Sequence, residues 1–262
     1  MFYYGKNKTD NTPIIYDRTN MTGSPQHRAI FGVTGSGKGV LMKSEIVQFL
    51  ERTKDTVYVL DLDGDYIRLA ERFGGSNIHI TQNSMNCINP IAIPDASSDI
   101  SQLVVLEIPK ILNKKELEIA IYMSLAAMWE KIEAARKCLD SIDKHFWIYI
   151  DNIMPLLQFP CCEKIFFNMI KSGRTHGCAV TYSALSFADF RDTRYGWQTL
   201  SNTLLISLLN QPKKDRDCLY ELYAYGLTWE LCYIKEQPCG NGLFLIGNEK
   251  IPFKYDQNVC LE

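Results

Sequence analysis

The segment Gly32-Val33-Thr34-Gly35-Ser36-Gly37-Lys38-Gly39 follows the apolar run RAIF and precedes the helical pattern VLMKSEIVQFL. A strand, a glycine-rich turn and a helix in this order form the context that a phosphate-binding loop requires. Glycines allow successive backbone N–H groups to point inward, and the N-terminus of the helix adds partial positive charge. The segment therefore predicts an anion cradle in which Lys38 reaches the β- and γ-phosphates of a nucleotide.

The predicted nucleotide-binding residues are consecutive in the chain: Thr34, Gly35, Ser36, Gly37, Lys38, Gly39 and Val40. Gly39 departs from the usual motif, because Ser or Thr normally stands there and provides a hydroxyl ligand for Mg²⁺. Glycine is also unfavourable in a helix, by about 1 kcal/mol relative to alanine. We expect ATP or ADP as the cofactor, with a weakened Mg²⁺ site. The alternative is a glycine-rich turn before a helix that binds no ligand.

Apolar runs and helical patterns alternate along the rest of the chain. Runs typical of buried parallel strands lie at 28–31, 57–60, 77–80, 103–108, 146–150, 178–182, 204–208 and 243–246, and 251–253 is predicted as an antiparallel edge strand. Helical patterns occupy 39–52, 65–73, 113–139, 161–172 and 215–225. The alternation predicts an α/β fold with a mostly parallel central sheet flanked by helices, in which ligands bind at the carboxyl ends of the strands.

Two of the predicted strands are followed by carboxylates. Asp61, Asp63 and Asp65 follow the run VYVL, and Asp151 follows FWIYI. A hydrophobic strand that ends in Asp near a phosphate-binding loop is the Walker B arrangement, in which Asp151 would hold Mg²⁺ through water and Asp63 is a second candidate ligand. Two alternatives remain open. Asp151 could cap the next helix, and the first three carboxylates could form a turn around Gly64.

Asn152 stands directly after Asp151. ATPases of this design commonly place a Glu there, which polarises the attacking water. An amide cannot accept a proton at neutral pH, so general-base assistance of roughly 10²–10⁴ in rate is missing. We therefore predict that hydrolysis is weak or lost.

Bulk composition narrows the classes of function. The chain has 262 residues, of which 46% are apolar and 22% charged, and its net charge of −2 gives no general basic excess for binding DNA. A local DNA-binding patch stays open. No apolar run reaches the roughly 20 residues that a membrane span needs, and MFYYGKNKTDN is too polar for a secretory signal. We expect a cytoplasmic location, with peripheral attachment at the inner face of the cell membrane as an alternative.

Together these segments resemble the C-terminal motor domain of conjugative type IV secretion ATPases, the VirB-four and TraC class of the FtsK–HerA superfamily of P-loop NTPases. The resemblance is carried, in chain order, by FYYGKN…PIIYDR, GVTGSGKGVLMKSEI, VLDLDGDYIRLAERFGGSNIHI…NCINPIAI, FWIYIDN, GRTHG, LSNTLLISLLNQPKKDR and GNGLFLIGNEKIPF. It implies a RecA-like fold, assembly as a hexamer and contact with other type IV secretion components. It also implies work on a transported substrate at the cytoplasmic base of a conjugation channel.

The resemblance implies a domain organisation and exposes departures from it. We expect residues 1–262 to form a single RecA-like nucleotide-binding domain that opens with strands within 1–27, and the final Leu261-Glu262 is consistent with a cloning scar. Only IAIPDASSDI stands where the family inserts a helical lid, so the lid is predicted to be reduced or missing. The family's phosphate-sensing Gln falls at Leu185 or its neighbours Ser183 and Ala184.

Two arginines are candidate catalytic residues beside Asp151. Arg174 matches the family's Arg that precedes a His or aromatic residue and a Gly, and Arg216 lies in the segment KDR. A guanidinium can stabilise transition-state charge on the nucleotide of a neighbouring subunit. The alternative for both is an ordinary surface arginine.

Three functions agree with these observations. The first is a nucleotide-binding motor subunit that hydrolyses ATP weakly or not at all. The second is an active ATPase that powers DNA or protein transfer, in which Asp63 or Asp65 replaces the missing Glu. The third is an interaction module of the secretion machinery that leaves the phosphate-binding loop empty.

Overall fold

The computed structural model describes residues 1–19, 24–80, 102–109, 112–137, 144–223 and 228–255. The chain divides into two compact units, the first made of Met1–Gln48 and Thr181–Glu262, the second of Phe49–Val180. A single RecA-like domain over 1–262 stays a prediction. The predicted lid region between residues 90 and 101 and the final two residues lie outside the described ranges.

Strands and helices alternate as the sequence predicts. The strands are β1 (Phe2–Asn7), β2 (Pro13–Tyr16), β3 (Arg28–Phe31), β4 (Thr56–Asp61), β5 (Ser76–His79), β6 (Leu103–Glu107), β7 (Phe146–Ile150), β8 (Cys178–Ala184), β9 (Leu205–Leu208), β10 (Asn241–Ile246) and β11 (Glu249–Lys254). The α-helices are α1 (Lys38–Arg52), α2 (Ile67–Arg72), α3 (Lys114–Arg136), α4 (Met154–Leu157), α5 (Pro160–Ser172), α6 (Phe187–Arg191), α7 (Gly196–Ser201) and α8 (Lys213–Leu222). Within the described ranges, 3-10 helices cover Gly173–His176 and Trp229–Ile234.

In the first unit, β3 pairs in parallel with β8 on one side and with β9 on the other. Antiparallel pairs then continue from β9 through β10, β11 and β1 to β2. The N-terminal strands expected within 1–27 are therefore confirmed. The prediction of an edge strand at 251–253 is wrong, because β1 pairs with β11 on the side away from β10. Sequence periodicity identifies a strand but not a partner so distant in the chain.

In the second unit, all strand pairs are parallel, in the order β7, β4, β6 and β5. Every side chain of β4 and β7 is buried, as expected for parallel strands that are covered on both faces. Parallel pairing in this unit and around β3, together with the alternating helices, confirms the predicted α/β fold with a mostly parallel sheet.

The helix boundaries follow local capping signals where these are strong. Asn113 caps α3 by accepting from the backbone N–H groups of Lys115 and Glu116, and the Glu116 carboxylate accepts from the backbone N–H of Asn113. This reciprocal pair of interactions is a capping box. The helix predicted at 215–225 instead begins at Lys213 and spans Lys213–Leu222, and its predicted last residue lies outside the described ranges.

A buried ionic cluster fixes α1 within the first unit. Arg18 and Arg28 both donate to the carboxylate of Glu45 on α1, and the Arg28 guanidinium also donates to Ser207 Oγ at 3.0 Å. Burial raises the pKa of Glu45, but the two guanidinium groups outweigh it and hold that pKa below its ordinary value. The cluster ties the helix that follows the phosphate-binding loop to β3 and β9.

None of the helices within the described residues has both the length and the apolar character needed to traverse a lipid bilayer.

Candidate functional site

The predicted phosphate-binding loop lies in the first unit, between the end of β3 at Phe31 and the start of α1 at Lys38. Gly35 and Gly37 have φ values of +76° and +104°, a backbone conformation that residues with a Cβ rarely adopt. The first backbone N–H groups of an α-helix have no acceptor within the helix, and in α1 the N–H of Leu41 donates to the Gly37 carbonyl at 3.1 Å. A tight glycine turn thus leads into a helix N-terminus, which is the geometry that favours anions.

Lys38 spans this loop from one end to the other. Its Nζ donates to the carbonyl oxygens of Gly32 at 2.7 Å and Val33 at 3.1 Å. The ammonium group therefore lies against the first residues of the loop, while its parent backbone belongs to the first turn of α1. This places a positive charge at the beginning of the loop.

Two further observations fit a phosphate group in this loop. Ser36 is only 3% exposed, and its Oγ has no hydrogen-bond partner among the described residues. A Cβ on Gly32 would approach Ser36 Oγ to 2.5 Å, so glycine is required there, while Gly35 has open space around it. The residues present therefore fit a nucleotide phosphate. Gly39 carries no hydroxyl, so the position that normally supplies a side-chain ligand to Mg²⁺ has none.

The turn after β4 in the second unit is organised by Asp61, which is 1% exposed. Its Oδ1 accepts from the backbone N–H groups of Asp63, Gly64 and Asp65 at 2.8–3.2 Å, and its Oδ2 accepts from that of Tyr66 at 2.9 Å. The turn interpretation is therefore confirmed for Asp61. It also explains why α2 begins at Ile67 and not at residue 65 as predicted: the intervening residues wrap the carboxylate.

Asp151 follows β7 in the same unit and is half-buried. Its Oδ2 accepts from the phenol of Tyr66 at 3.0 Å. Burial is the main cause that raises the pKa of Tyr66, and the neighbouring Asp151 carboxylate raises it further, so the phenol remains a protonated donor. Ile153, and not Asp151, occupies the N-cap position of α4, which does not favour the capping alternative for Asp151.

Comparison with known proteins assigns the chain to a family. The family model described as Helicase HerA, central domain, matches residues 2–146, more than half of the chain. The chain belongs to this family. No curated protein matches it. Its fold is similar to that of VirB4 from Thermoanaerobacter pseudethanolicus, with 14% sequence identity, 97% of this chain and 96% of that chain covered, and a TM-score of 0.78.

Two further solved structures share the fold of this HerA-family chain. The bacterial conjugative coupling protein TrwBdeltaN70 is 12% identical over 96% of this chain and 88% of its own, with a TM-score of 0.58. The genome packaging NTPase B204 from Sulfolobus turreted icosahedral virus 2, in complex with ATP-gammaS, is 14% identical over 87% of this chain and 96% of its own, with a TM-score of 0.54. These structures confirm the predicted RecA-like class of fold.

Asn152 lies two residues after the end of β7 in this HerA-family chain, and its backbone is left-handed, with φ of +56°. Asn is several-fold enriched in that region of backbone space, and a longer side chain there is strained. The amide that stands in place of the expected Glu therefore also suits the backbone. The sequence alone shows the missing carboxylate but not this second reason for Asn.

None of the three residues at which the family resemblance predicts a phosphate-sensing Gln has a side-chain amide. Ser183 and Ala184 are fully buried in β8, and Leu185, directly after the strand, is 41% exposed. The carbonyl of Ala184 accepts from the backbone N–H of Gly32 at 3.1 Å, so this strand end adjoins the start of the phosphate-binding loop. A leucine at this place cannot donate a hydrogen bond to a phosphate.

The three remaining predicted site residues have different surroundings. Arg216 is half-buried in the first unit, and its Nη1 donates to the carbonyl of Gln211 at 2.6 Å. Arg174 is half-buried in the second unit, in the 3-10 helix Gly173–His176. Asp63 is exposed. Across the ranges that the structure describes, no group of three or more His, Cys, Asp or Glu side chains could hold a metal ion.

Two polar residues of this structure carry no prediction from the sequence. Tyr66 supplies the hydrogen bond to Asp151, and Asp215 is fully buried and accepts from Ser186 Oγ at 2.8 Å and from the backbone N–H of Phe187 at 3.0 Å. The position of Tyr66 directly after a run of acidic residues indicates its role only weakly. The sequence holds no signal for the second, because its partners are about thirty residues away.

Proposed function

We propose that this HerA-family chain is a nucleotide-binding, motor-type domain of a conjugation or type IV secretion ATPase, in which hydrolysis is weak or lost. The observation that carries the proposal is the loop 32–39, in which left-handed glycines, a helix N-terminus and Lys38 together form an anion site. ATP or ADP is the proposed ligand. The nucleotide complex of the structurally similar B204 NTPase supports this choice.

The proposal of weak hydrolysis rests on two positions. Gly39 leaves Mg²⁺ without the hydroxyl that normally coordinates it from the loop, and Asn152 cannot act as a general base. Asp151 is the residue proposed to hold the weakened Mg²⁺ site, with Asp63 as a second ligand. Arg174 and Arg216 are proposed to act on the nucleotide of a neighbouring subunit, as in the hexamer that the family resemblance implies.

The secretion setting is supported by the fold. The likeness to VirB4 extends over almost the whole of both chains, and the conjugative coupling protein TrwBdeltaN70 shares the same architecture. We propose self-association and contact with other type IV secretion components on this basis. A transported DNA or protein is the corresponding substrate.

Calorimetric titration with the non-hydrolysable analogue AMP-PNP, with and without Mg²⁺, tests the proposal. We expect a Kd on the order of micromolar that changes little with Mg²⁺, a loss of at least about tenfold in Lys38→Ala, and little phosphate release from ATP. Rapid Mg²⁺-dependent turnover that Lys38→Ala abolishes would favour the active ATPase instead. No binding under either condition would favour the interaction module.

Restoring the missing groups sharpens this test. We expect Gly39→Thr together with Asn152→Glu to raise Mg²⁺-dependent phosphate release above the wild-type level, because the pair returns a metal ligand and a general base. Since a glutamate at φ of +56° is strained, Asn152→Gly is the matched control for the backbone. Equal rates for the pair, the control and the wild type would contradict this explanation of weak hydrolysis.

A further inference from the structure

Residues 236–240, here called the brace, contact the phosphate-binding loop through Cys239 and Gly240. The backbone N–H of Gly240 donates to the carbonyl of Ser36 at 2.9 Å. A Cβ on Gly37 would lie 3.0 Å from the Gly240 nitrogen and 3.1 Å from Cys239 Sγ. The brace therefore packs directly against the part of the loop that leads into α1, and a side chain at Gly37 would be crowded by the brace as well as strained by its φ.

Asn210, two residues after β9, joins the brace to the start of the loop. Its backbone carbonyl accepts from the N–H of Val33 at 3.0 Å. Its side-chain Nδ2 donates to the carbonyl of Gln237 at 2.6 Å, and its Oδ1 accepts from the backbone N–H of Gln237, also at 2.6 Å. The donor and the acceptor of the Asn210 side chain thus both bond to the backbone of Gln237. These two bonds fix the position of the brace relative to the loop.

The far end of the brace is tied to α1. The carbonyl of Gly240 accepts from the backbone N–H of Tyr255 at 2.9 Å, and the Tyr255 hydroxyl forms a hydrogen bond with Ser44 Oγ on α1. Ser44 and Tyr255 are both buried. The beginning of the loop, its middle and the helix after it are therefore attached to the same five-residue segment.

We infer that Asn210 is a positioning residue for the nucleotide site and that it acts through the brace to hold loop 32–39 in its anion-binding shape. The inference rests on the proposed function, because it needs a nucleotide in the loop. Glycine-rich loops lose much conformational freedom when they are ordered, and a loop that is already held in shape avoids that cost on binding. The ties from the protein matter more here because Gly39 lacks the hydroxyl that would connect the loop to Mg²⁺.

The test is the affinity of Asn210→Ala for ADP, measured by calorimetry without Mg²⁺. We expect the Kd to rise about tenfold, because several loop residues become free to move in the unbound protein. The matched control is Asn202→Ala, which removes an amide of the same unit that donates to the Gln198 carbonyl at 2.8 Å at the end of α7. We expect its Kd to stay at the wild-type value, and melting curves of both variants test whether they are folded.

Cys239 offers a second readout that a loss of stability alone would not reproduce. Its side chain is exposed and lies beside Gly37. We expect ADP to slow the alkylation of Cys239 by iodoacetamide in the wild type, with exposed Cys161 as the internal reference, and to protect it less in Asn210→Ala at the same ADP concentration. Peptide mass spectrometry measures both thiols in one sample.

The outcomes separate the two proposals. A wild type that binds no ADP contradicts the proposed function and the inference together. A wild type that binds, beside a folded Asn210→Ala of equal affinity, overturns the inference alone. If Asn210→Ala does not fold, Tyr255→Phe replaces it, because this change keeps the ring and removes only the tie to Ser44. We then expect a rise in Kd of about threefold, and an unchanged Kd overturns the inference.

Discussion

The turns after β4 and β7 begin alike in the sequence but use their carboxylates differently. Asp61 is buried and receives four backbone N–H groups, from Asp63 to Tyr66, whereas Asp151 is half-buried and receives the phenol of Tyr66. The first carboxylate organises its own turn, and its oxygens are engaged by that turn. The comparison shows that an apolar strand ending in Asp does not by itself identify a metal ligand.

Of the substitutions in these two turns, Asp61→Ala should lower the stability of the protein most. We expect the free energy of unfolding to fall by about 3–5 kcal/mol, because the backbone donors, including the buried N–H of Tyr66, lose an ionised acceptor. Urea denaturation followed by circular dichroism measures the change. Asp65→Ala, at an exposed position of the same turn, is the control and should stay within about 0.5 kcal/mol of the wild type. Equal losses in the two variants would contradict the structural role given to Asp61.

Replacing Asp151 by Ala should affect stability less and ligand binding more. We expect the free energy of unfolding to fall by about 1 kcal/mol, the usual value of one hydrogen bond. On the proposed function, any dependence of nucleotide affinity on Mg²⁺ should disappear, because Asp151 is the proposed holder of that ion. Calorimetry with and without Mg²⁺ measures this. If Mg²⁺ changes the nucleotide Kd of the variant as much as that of the wild type, Asp151 does not hold the ion.

Tyr66→Phe should give the smallest effect, about 0.5–1 kcal/mol in the free energy of unfolding, because the buried ring remains and only the hydroxyl is lost. The pKa of Tyr66 is raised by burial and by Asp151, so the contribution of its protonated hydroxyl is fully present below the ordinary tyrosine pKa of about 10 and is lost as pH rises beyond that. The difference between variant and wild type should therefore be the same at pH 7 and at pH 9. A difference that shrinks over this range would contradict the raised pKa.

Much of the fold could be predicted because its signals are local. The bounds of β3 and β7 agree with the apolar runs at 28–31 and 146–150, and α1 begins within one residue of the predicted helix. Where the predicted elements differ from the structure, the cause is either a strand from a distant part of the chain or a polar side chain that binds the backbone. The strand at 251–253 is not an edge, since β1 from the other end of the chain pairs with it, and α2 starts late, since Asp61 holds the residues before it.

The candidate site divides in the same way. The glycines of loop 32–39, the absent hydroxyl at Gly39 and the amide at Asn152 can all be recognised in the sequence, because each depends on the identity of a residue within a short motif. The brace and its connection through Asn210 cannot be recognised in the sequence. Gln237 lies 27 residues away from Asn210 and more than two hundred from Val33, so no short motif contains them.

The sequence alone determined the order of strands and helices, the phosphate-binding loop and the groups that this loop lacks. These features follow from side-chain periodicity and from the backbone freedom of glycine, which act over a few residues. Only the tertiary structure decided that Asp61 serves its own turn, that Tyr66 supports Asp151 and that Asn210 holds the loop. These roles depend on which hydrogen-bond donors and acceptors the folded chain brings within about 3 Å of one another.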